Sequence, residues 1–203
     1  MNIIAGTAGG IRLDVPKGVT VRPTGAIARK SLFDSLGNLS GQTVVDLFAG
    51  SGALGLEAAS RGASSVVLVD LSRHAIETIN LNVSRVRKAG VDADIRALRH
   101  AAETAHLVLP ELAGKVDLIL ADPPYDDTTA IAARLLGDEA FAQWARGALL
   151  IFEASRETSR NAPISDNSGL WQVVKTKTMG QTAFYFLKIP VDRNFSTCAE
   201  DLR

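Results

Sequence analysis

"DLFAGSGALGLEA" (Asp46–Ala58) holds Gly50-Ser51-Gly52-Ala53-Leu54-Gly55, a G-x-G-x-x-G pattern. The β-rich apolar run QTVVDLFA (42–49) precedes it, and ALGLEAASR (53–61) follows at helical spacing. Between a strand and a helix, a glycine turn lets a ligand approach backbone N–H groups closely. The same pattern alone is a tight strand–helix turn, and several nucleotide classes share it. The rest of the chain has to decide between them.

Outward from this turn, strand and helix patterns alternate. SVVLVD (65–70), the weaker ADIRAL (93–98), VDLILAD (116–122) and GALLIFEA (147–154) read as strands. Short apolar strands separated by helices imply a parallel sheet covered on both faces. Ser72 is placed to cap the helix SRHAIETINLNVSRVRKAG, and Gly90 to end it. WQVVKTKTM and TAFYFLKI form a closing hairpin around Gly180-Gln181. Ahead of the core, NIIAGTAGGIRLDVP suggests a short hairpin at Gly9-Gly10. TGAIARKSLFDSLG then reads as a helix with Thr24 as cap and Gly37 as stop. The division expected is a hairpin-plus-helix extension over 1–38, a catalytic domain over 39–190 and a polar tail over 191–203.

Composition narrows the class. At 203 residues and 46% hydrophobic, the chain is long and apolar enough for one folded domain. No apolar run reaches the roughly 20 residues of a membrane helix, and the N-terminus lacks the features of a signal peptide. The single cysteine, Cys198, excludes an internal disulfide and a cysteine metal cluster, so a reducing cytoplasm is expected. Net charge is zero, which argues against a generic polyanion binder. The charge is uneven, however. Residues 1–36 carry Arg12, Lys17, Arg22, Arg29 and Lys30 against Asp14 and Asp34, and the closing hairpin carries Lys175, Lys177 and Lys188. Such clusters are candidate nucleic-acid contacts and equally ordinary solvated faces.

Three features bear on the ligand. Asp46 stands just ahead of the glycine loop, where a carboxylate repels a pyrophosphate and attracts the ammonium of an amino-acid moiety. Asp70 ends the second strand, in position to hold ribose hydroxyls, which suits NAD and S-adenosylmethionine equally. ADPPY (121–125) closes the fourth. Consecutive prolines stiffen an extended turn and fix the residue before them. Asp122 and the Pro123 carbonyl are then placed to accept hydrogen bonds from an exocyclic amine, while Pro124 rigidifies the turn and Tyr125 offers a ring for stacking.

Together these motifs resemble the class I S-adenosylmethionine-dependent methyltransferases that act on amino groups. IIAGTAGGIRL, RPTGAIARKSLFDSL, DLFAGSGALGLEAASRGA and LADPPY, in that order, resemble the RsmD-type family of bacterial 16S rRNA (guanine-N2)-methyltransferases. The resemblance spans nearly the whole chain up to the hairpin. It departs where Lys30 follows the helix arginine and where His100 stands at the usual adenine-contacting position. The fold so implied is α/β and Rossmann-like, with three α/β/α layers. Its sheet is mostly parallel and seven-stranded, with one antiparallel strand. The implied reaction is methyl transfer to the N2 amine of a guanine in small-subunit rRNA, by a displacement that needs no metal. Asp122, Pro123, Pro124 and Tyr125 are the implied catalytic residues. The implied cofactor, S-adenosyl-L-methionine, would lie on Asp46, Phe48, Gly50, Ser51, Gly52 and Gly55, with Asp70, Leu71 and Ala101 at its nucleoside end. Arg12, Lys17, Arg22 and Arg29 would hold 16S rRNA within a small-subunit assembly particle, with Arg22 and Thr24 alternatively covering the methionine end of the cofactor, and the enzyme would act as a monomer, without a membrane. An N6-adenine or N4-cytosine DNA methyltransferase, a protein glutamine methyltransferase and a non-catalytic ribosome-assembly factor remain alternatives. His74 and His106 receive no role.

Overall fold

The computed structural model describes residues 1–16, 25–124, 127–156, 164 and 167–191. Lys17, Arg22, Thr24, Tyr125, Cys198 and positions 192–203 of the tail lie outside the described residues.

The chain forms helix α1 (Ala26–Leu36), strand β1 (Thr43–Leu47), α2 (Ala53–Ser60), β2 (Ser65–Asp70), α3 (Arg73–Lys88), β3 (Asp94–Arg99), the short α4 (Ala105–Val108), β4 (Leu118–Ala121), α5 (Thr128–Gly137), α6 (Glu139–Trp144), β5 (Leu149–Ser155), β6 (Asn167–Ser168), β7 (Trp171–Met179) and β8 (Thr182–Lys188). They build one sheet in the order β3-β2-β1-β4-β5-β8-β7-β6. Strands β1 to β5 are parallel, and β8 runs antiparallel between β5 and β7. The expected seven-stranded, mostly parallel sheet is therefore present. A two-residue edge strand, β6, extends it antiparallel to β7. Among the described residues no helix is long and apolar enough to cross a membrane.

The strands are Val/Leu/Ile-rich because both faces are covered. Val44, Val66, Leu68, Leu120 and Ile151 pack with Leu32, Phe33, Leu56 and Ile79 on one side. Val45, Leu47, Val67, Ile119 and Phe152 pack with Leu135, Phe141 and Trp144 on the other. At α3 the Ser72 hydroxyl accepts from the Ala75 N–H at 3.3 Å, as expected of the cap. Gly90, at φ 96°, lies just beyond the last turn. At α1 the N-cap is Gly25, which has no side chain to cap with.

From β1 the chain winds outward through β2 to β3, then returns to lay β4 and β5 on β1's other side. In an open parallel sheet the crevice lies outside the strand C-termini where the order reverses, here between β1 and β4.

The N-terminal segment wraps α2. The expected hairpin is reduced to a single antiparallel bridge, Asn2–Arg12, closed by Ile3 N–H on Ile11 O at 2.9 Å. The buried Glu57 carboxylate accepts from Ile4 N–H at 2.7 Å, from Ala5 N–H at 3.1 Å and from Arg61 Nε at 2.7 Å. Ser60 Oγ accepts from Ala8 N–H at 2.9 Å and donates to Ala5 O. A Cβ on Gly6 would stand 1.8 Å from the Ser60 carbonyl, so a glycine is required at this crossing.

Candidate active site

The loop joining β1 to α2 owes its shape to backbone conformations that ordinary residues avoid. Gly50 and Gly52 take φ 57° and 78°, and Phe48 is the one described non-glycine residue at positive φ, 62°. Such a residue is worth attention because it marks a loop held in place by its surroundings. The third glycine serves packing. A Cβ on Gly55 would meet Leu68 Cδ2 at 2.3 Å and Asp46 Cβ at 3.1 Å, so α2 lies directly on the sheet. A Cβ on Gly50 would meet nothing nearer than the Phe48 carbonyl at 4.0 Å, which leaves open space on that side of the loop.

Two carboxylates fix the loop. Asp70 Oδ2 accepts from Gly50 N–H at 2.8 Å, and its Oδ1 from Ser72 N–H at 2.8 Å. Each oxygen retains a lone pair for a further donor such as a ribose hydroxyl. Asp46 Oδ2 accepts from Gly55 N–H at 2.8 Å. Asp46 is 1% exposed, and its Oδ1 has no hydrogen-bond partner among the described residues. Burial pushes its pKa up from 3.8 to about 8, opposed by the Gly55 hydrogen bond and reinforced by the charges of Asp122 and Asp70. The expected partner of the ammonium is thus first the bond that ties β1 to α2.

The other residues expected at the site fall around this loop. Ser51 is buried, and Leu71 is 67% exposed beside Asp70, an apolar side chain next to the carboxylate. Ala101 precedes a short 3₁₀ turn. His100 donates its backbone N–H to Asp70 O at 3.2 Å, and its Nε2 stands 3.1 Å from Thr104 Oγ1. Asp122 is half-buried at the end of β4, with Pro123 buried and Pro124 exposed behind it. The Pro124 carbonyl is engaged by Thr128 Oγ1 at 3.0 Å and Asp127 N–H at 3.2 Å. Asp122 lies close enough to Asp46 for its charge to help raise that pKa.

Two expectations are corrected. Arg29, expected at the RNA surface, is 3% exposed on the buried face of α1, and its Nη2 donates to Asn2 O. Its guanidinium faces protein, which removes it from the candidate RNA surface. Lys177 is likewise occupied: Nζ donates to Ser31 O and Ser35 Oγ, both at 2.6 Å, fastening α1 to β7. Arg12 remains exposed.

The family model described as Conserved hypothetical protein 95 matches residues 1–188. The chain belongs to this family. It is the RsmD-type family whose motifs the sequence carries. "Ribosomal RNA small subunit methyltransferase D" of Haemophilus influenzae is 29% identical over 185 residues, 91% of each chain. The solved structure of a putative methyltransferase from Escherichia coli, yhhF, is 26% identical. It superposes with a TM-score of 0.69 over 93% of this chain and 97% of that one. A ribosomal protein L11 methylase from Lactobacillus delbrueckii, 17% identical, superposes with a TM-score of 0.61 over 86% of this chain and 83% of that one. That likeness is one of fold, and the fold is the class I S-adenosylmethionine-dependent methyltransferase fold.

The residues present fit that cofactor. Asp46 presents a buried, unbonded carboxylate oxygen for a cationic group, Gly50 leaves room at the loop, and Leu71 and Asp70 offer an apolar ledge and a carboxylate for a nucleoside.

The Asp46 carboxyl has a pH signature. Its folded pKa lies above the unfolded value, so its stabilising contribution is full below 3.8 and is lost as pH rises toward about 8. Asp46→Asn keeps an acceptor for Gly55 N–H and removes the titration. The variant should gain on the wild type by up to about 1.4 kcal/mol per pH unit between roughly pH 5 and pH 8, and then level off. Urea midpoints across that range measure it. A gap that does not change with pH contradicts the buried-carboxyl account.

Proposed function

We propose that the chain transfers a methyl group from S-adenosyl-L-methionine to the exocyclic N2 amine of a guanine in 16S rRNA. The observation that carries the reading is the Asp122-Pro123-Pro124 turn at the end of β4, across the strand-order reversal from the glycine loop, with Asp122 near enough for its charge to bear on Asp46. Relatives across nearly the full chain length are named for small-subunit rRNA methylation.

The cofactor supplies an electrophilic methyl group on a sulfonium. The chain's own part is to hold the amine. The lone pair of a guanine N2 is delocalised into the ring, and hydrogen bonds from the amine to Asp122 and the Pro123 carbonyl hold and orient it. The Pro124 carbonyl is already engaged, which leaves Pro123 as the backbone acceptor of the pair. Asp122 need not be a strong base, because the methylated ammonium loses its proton readily to water. Tyr125 is assigned the stacking role. The base leaves its stack to reach the crevice. Residues 1–38 carry the RNA contacts, 39–190 the methyltransferase domain and 191–203 a tail. A neutral molecule acting on rRNA draws its affinity from local cations, and Arg12, Lys17 and Arg22 are the ones assigned. The reading implies a cytoplasmic monomer acting on a small-subunit assembly particle.

Asp122→Ala should leave S-adenosylmethionine affinity nearly unchanged and lower turnover on undermethylated small subunits by at least about tenfold, since the residue acts on the amine. Calorimetry and methyl-transfer rates on small subunits, naked rRNA, DNA and protein measure both. Wild-type turnover in the variant, or faster transfer to DNA or protein, contradicts the assignment.

Neutralising Arg12 and Lys17 together should weaken RNA binding with cofactor affinity unchanged. The salt slope of RNA binding should fall by nearly one unit for each phosphate that a removed cation had neutralised. RNA titrations at several salt concentrations measure it. An unchanged slope places the RNA elsewhere.

A further inference from the structure

Asn82 lies on the buried stripe of α3 among Ala75, Ile79, Val83 and Val86, and is 0% exposed. Asparagine is a poor residue for a helix interior and costly to bury without partners. Here its amide has three. Oδ1 accepts from Asp14 N–H at 2.8 Å, and Nδ2 donates to Asp14 O at 3.0 Å and to Ser51 O at 2.9 Å. Two carbonyls and one N–H face it, so a reversed amide fails at every contact, which fixes its orientation.

The partners belong to different parts of the molecule. Asp14 is on the N-terminal segment, two residues beyond Arg12, while Ser51 lies between the two positive-φ glycines of the loop. The N-terminal segment also reaches Ser51 from its other end, where Ser51 Oγ donates to Met1 Sδ at 3.7 Å. One turn before Asn82, Ile79 stands behind the loop, with its Cγ1 3.5 Å from where a Cβ on Gly52 would be. Without the Asn82 donor, the Ser51 carbonyl loses this buried hydrogen bond. Gly50 and Gly52 have the rotational freedom to turn the peptide toward water, and doing so reshapes the loop.

We propose that Asn82 is a positioning residue that holds the glycine loop in its cofactor-binding shape only while the N-terminal segment is docked, so that RNA and cofactor strengthen each other's binding. The proposal rests on the cofactor and RNA readings above. The coupling has to be reciprocal, because it is a single free energy shared by two sites.

The test is calorimetric titration of the full chain with S-adenosylmethionine, with and without small-subunit rRNA. In the wild type, RNA should tighten cofactor binding. In Asn82→Leu, cofactor Kd should rise about tenfold and the RNA effect should vanish, while kcat at saturation stays within about twofold. Val86→Ala, a buried change on the same helix, should lower stability yet preserve both affinity and coupling. Asn82→Asp keeps the proposal testable if the leucine variant does not fold. Its acid form has one donor and one acceptor, its carboxylate no donor, so its cofactor Kd relative to wild type should rise with pH. Wild-type affinity and coupling in folded Asn82→Leu, a pH-independent ratio in Asn82→Asp, or no coupling in the wild type would each overturn it. A wild type that binds no S-adenosylmethionine sinks the cofactor reading itself, and this inference with it.

Discussion

The 2.8 Å hydrogen bond from Gly55 N–H to Asp46 Oδ2 joins the first strand to the helix after the glycine loop. It forms only because Gly55 lacks a side chain, since a Cβ there would stand 2.3 Å from Leu68. With α2 pressed onto β1 and β2, the intervening loop has few conformations left, and positive φ at Phe48, Gly50 and Gly52 is the result. The same closeness removes Asp46 from water. An acid so buried, with Asp122 and Asp70 nearby, is reluctant to ionise. The charges of Asp70 and Asp122 beside the loop repel a pyrophosphate, and a cationic ligand next to Asp46 would favour its ionised form, which suits a sulfonium cofactor better than a dinucleotide with the same glycine pattern.

The N-terminal segment depends on this arrangement too. Ile3 and Leu13 belong to the same packed cluster as Leu56 and Val66. Glu57 and Ser60, on the helix that Gly55 brings to the sheet, supply acceptors for the N–H groups of Ile4, Ala5 and Ala8. A segment with few regular hydrogen bonds of its own is thereby docked on α2 through side-chain acceptors, and it carries the exposed Arg12.

The sheet was legible in the sequence because buried parallel strands are continuous apolar runs; Ser65–Asp70 and Leu118–Ala121 lie within the runs that announced them. The Ser72 cap was legible for a similarly local reason. What escaped was set by tertiary contacts. Two residues, Asn167–Ser168, carry too little pattern to announce β6. Arg29 looked like a surface cation because charge says nothing of direction, yet its α1 neighbours Ala28, Leu32 and Phe33 mark a buried stripe at helical spacing. Asn82 had the same signal, a polar residue among Ile79, Val83 and Val86. In the candidate site, the glycines, Asp46, Asp70 and Asp122 were legible as a motif. That Asp46 is spent first on Gly55 depended on how closely helix and sheet approach.

The central proposal is chemical: that an amine of guanine meets Asp122. Undermethylated small subunits incubated with the enzyme and S-adenosylmethionine, then digested to nucleosides and analysed by mass spectrometry, test it most directly. The account predicts N2-methylguanosine in the 16S rRNA as the methylated product. N6-methyladenosine, N4-methylcytidine, or methyl groups recovered only in protein would contradict it.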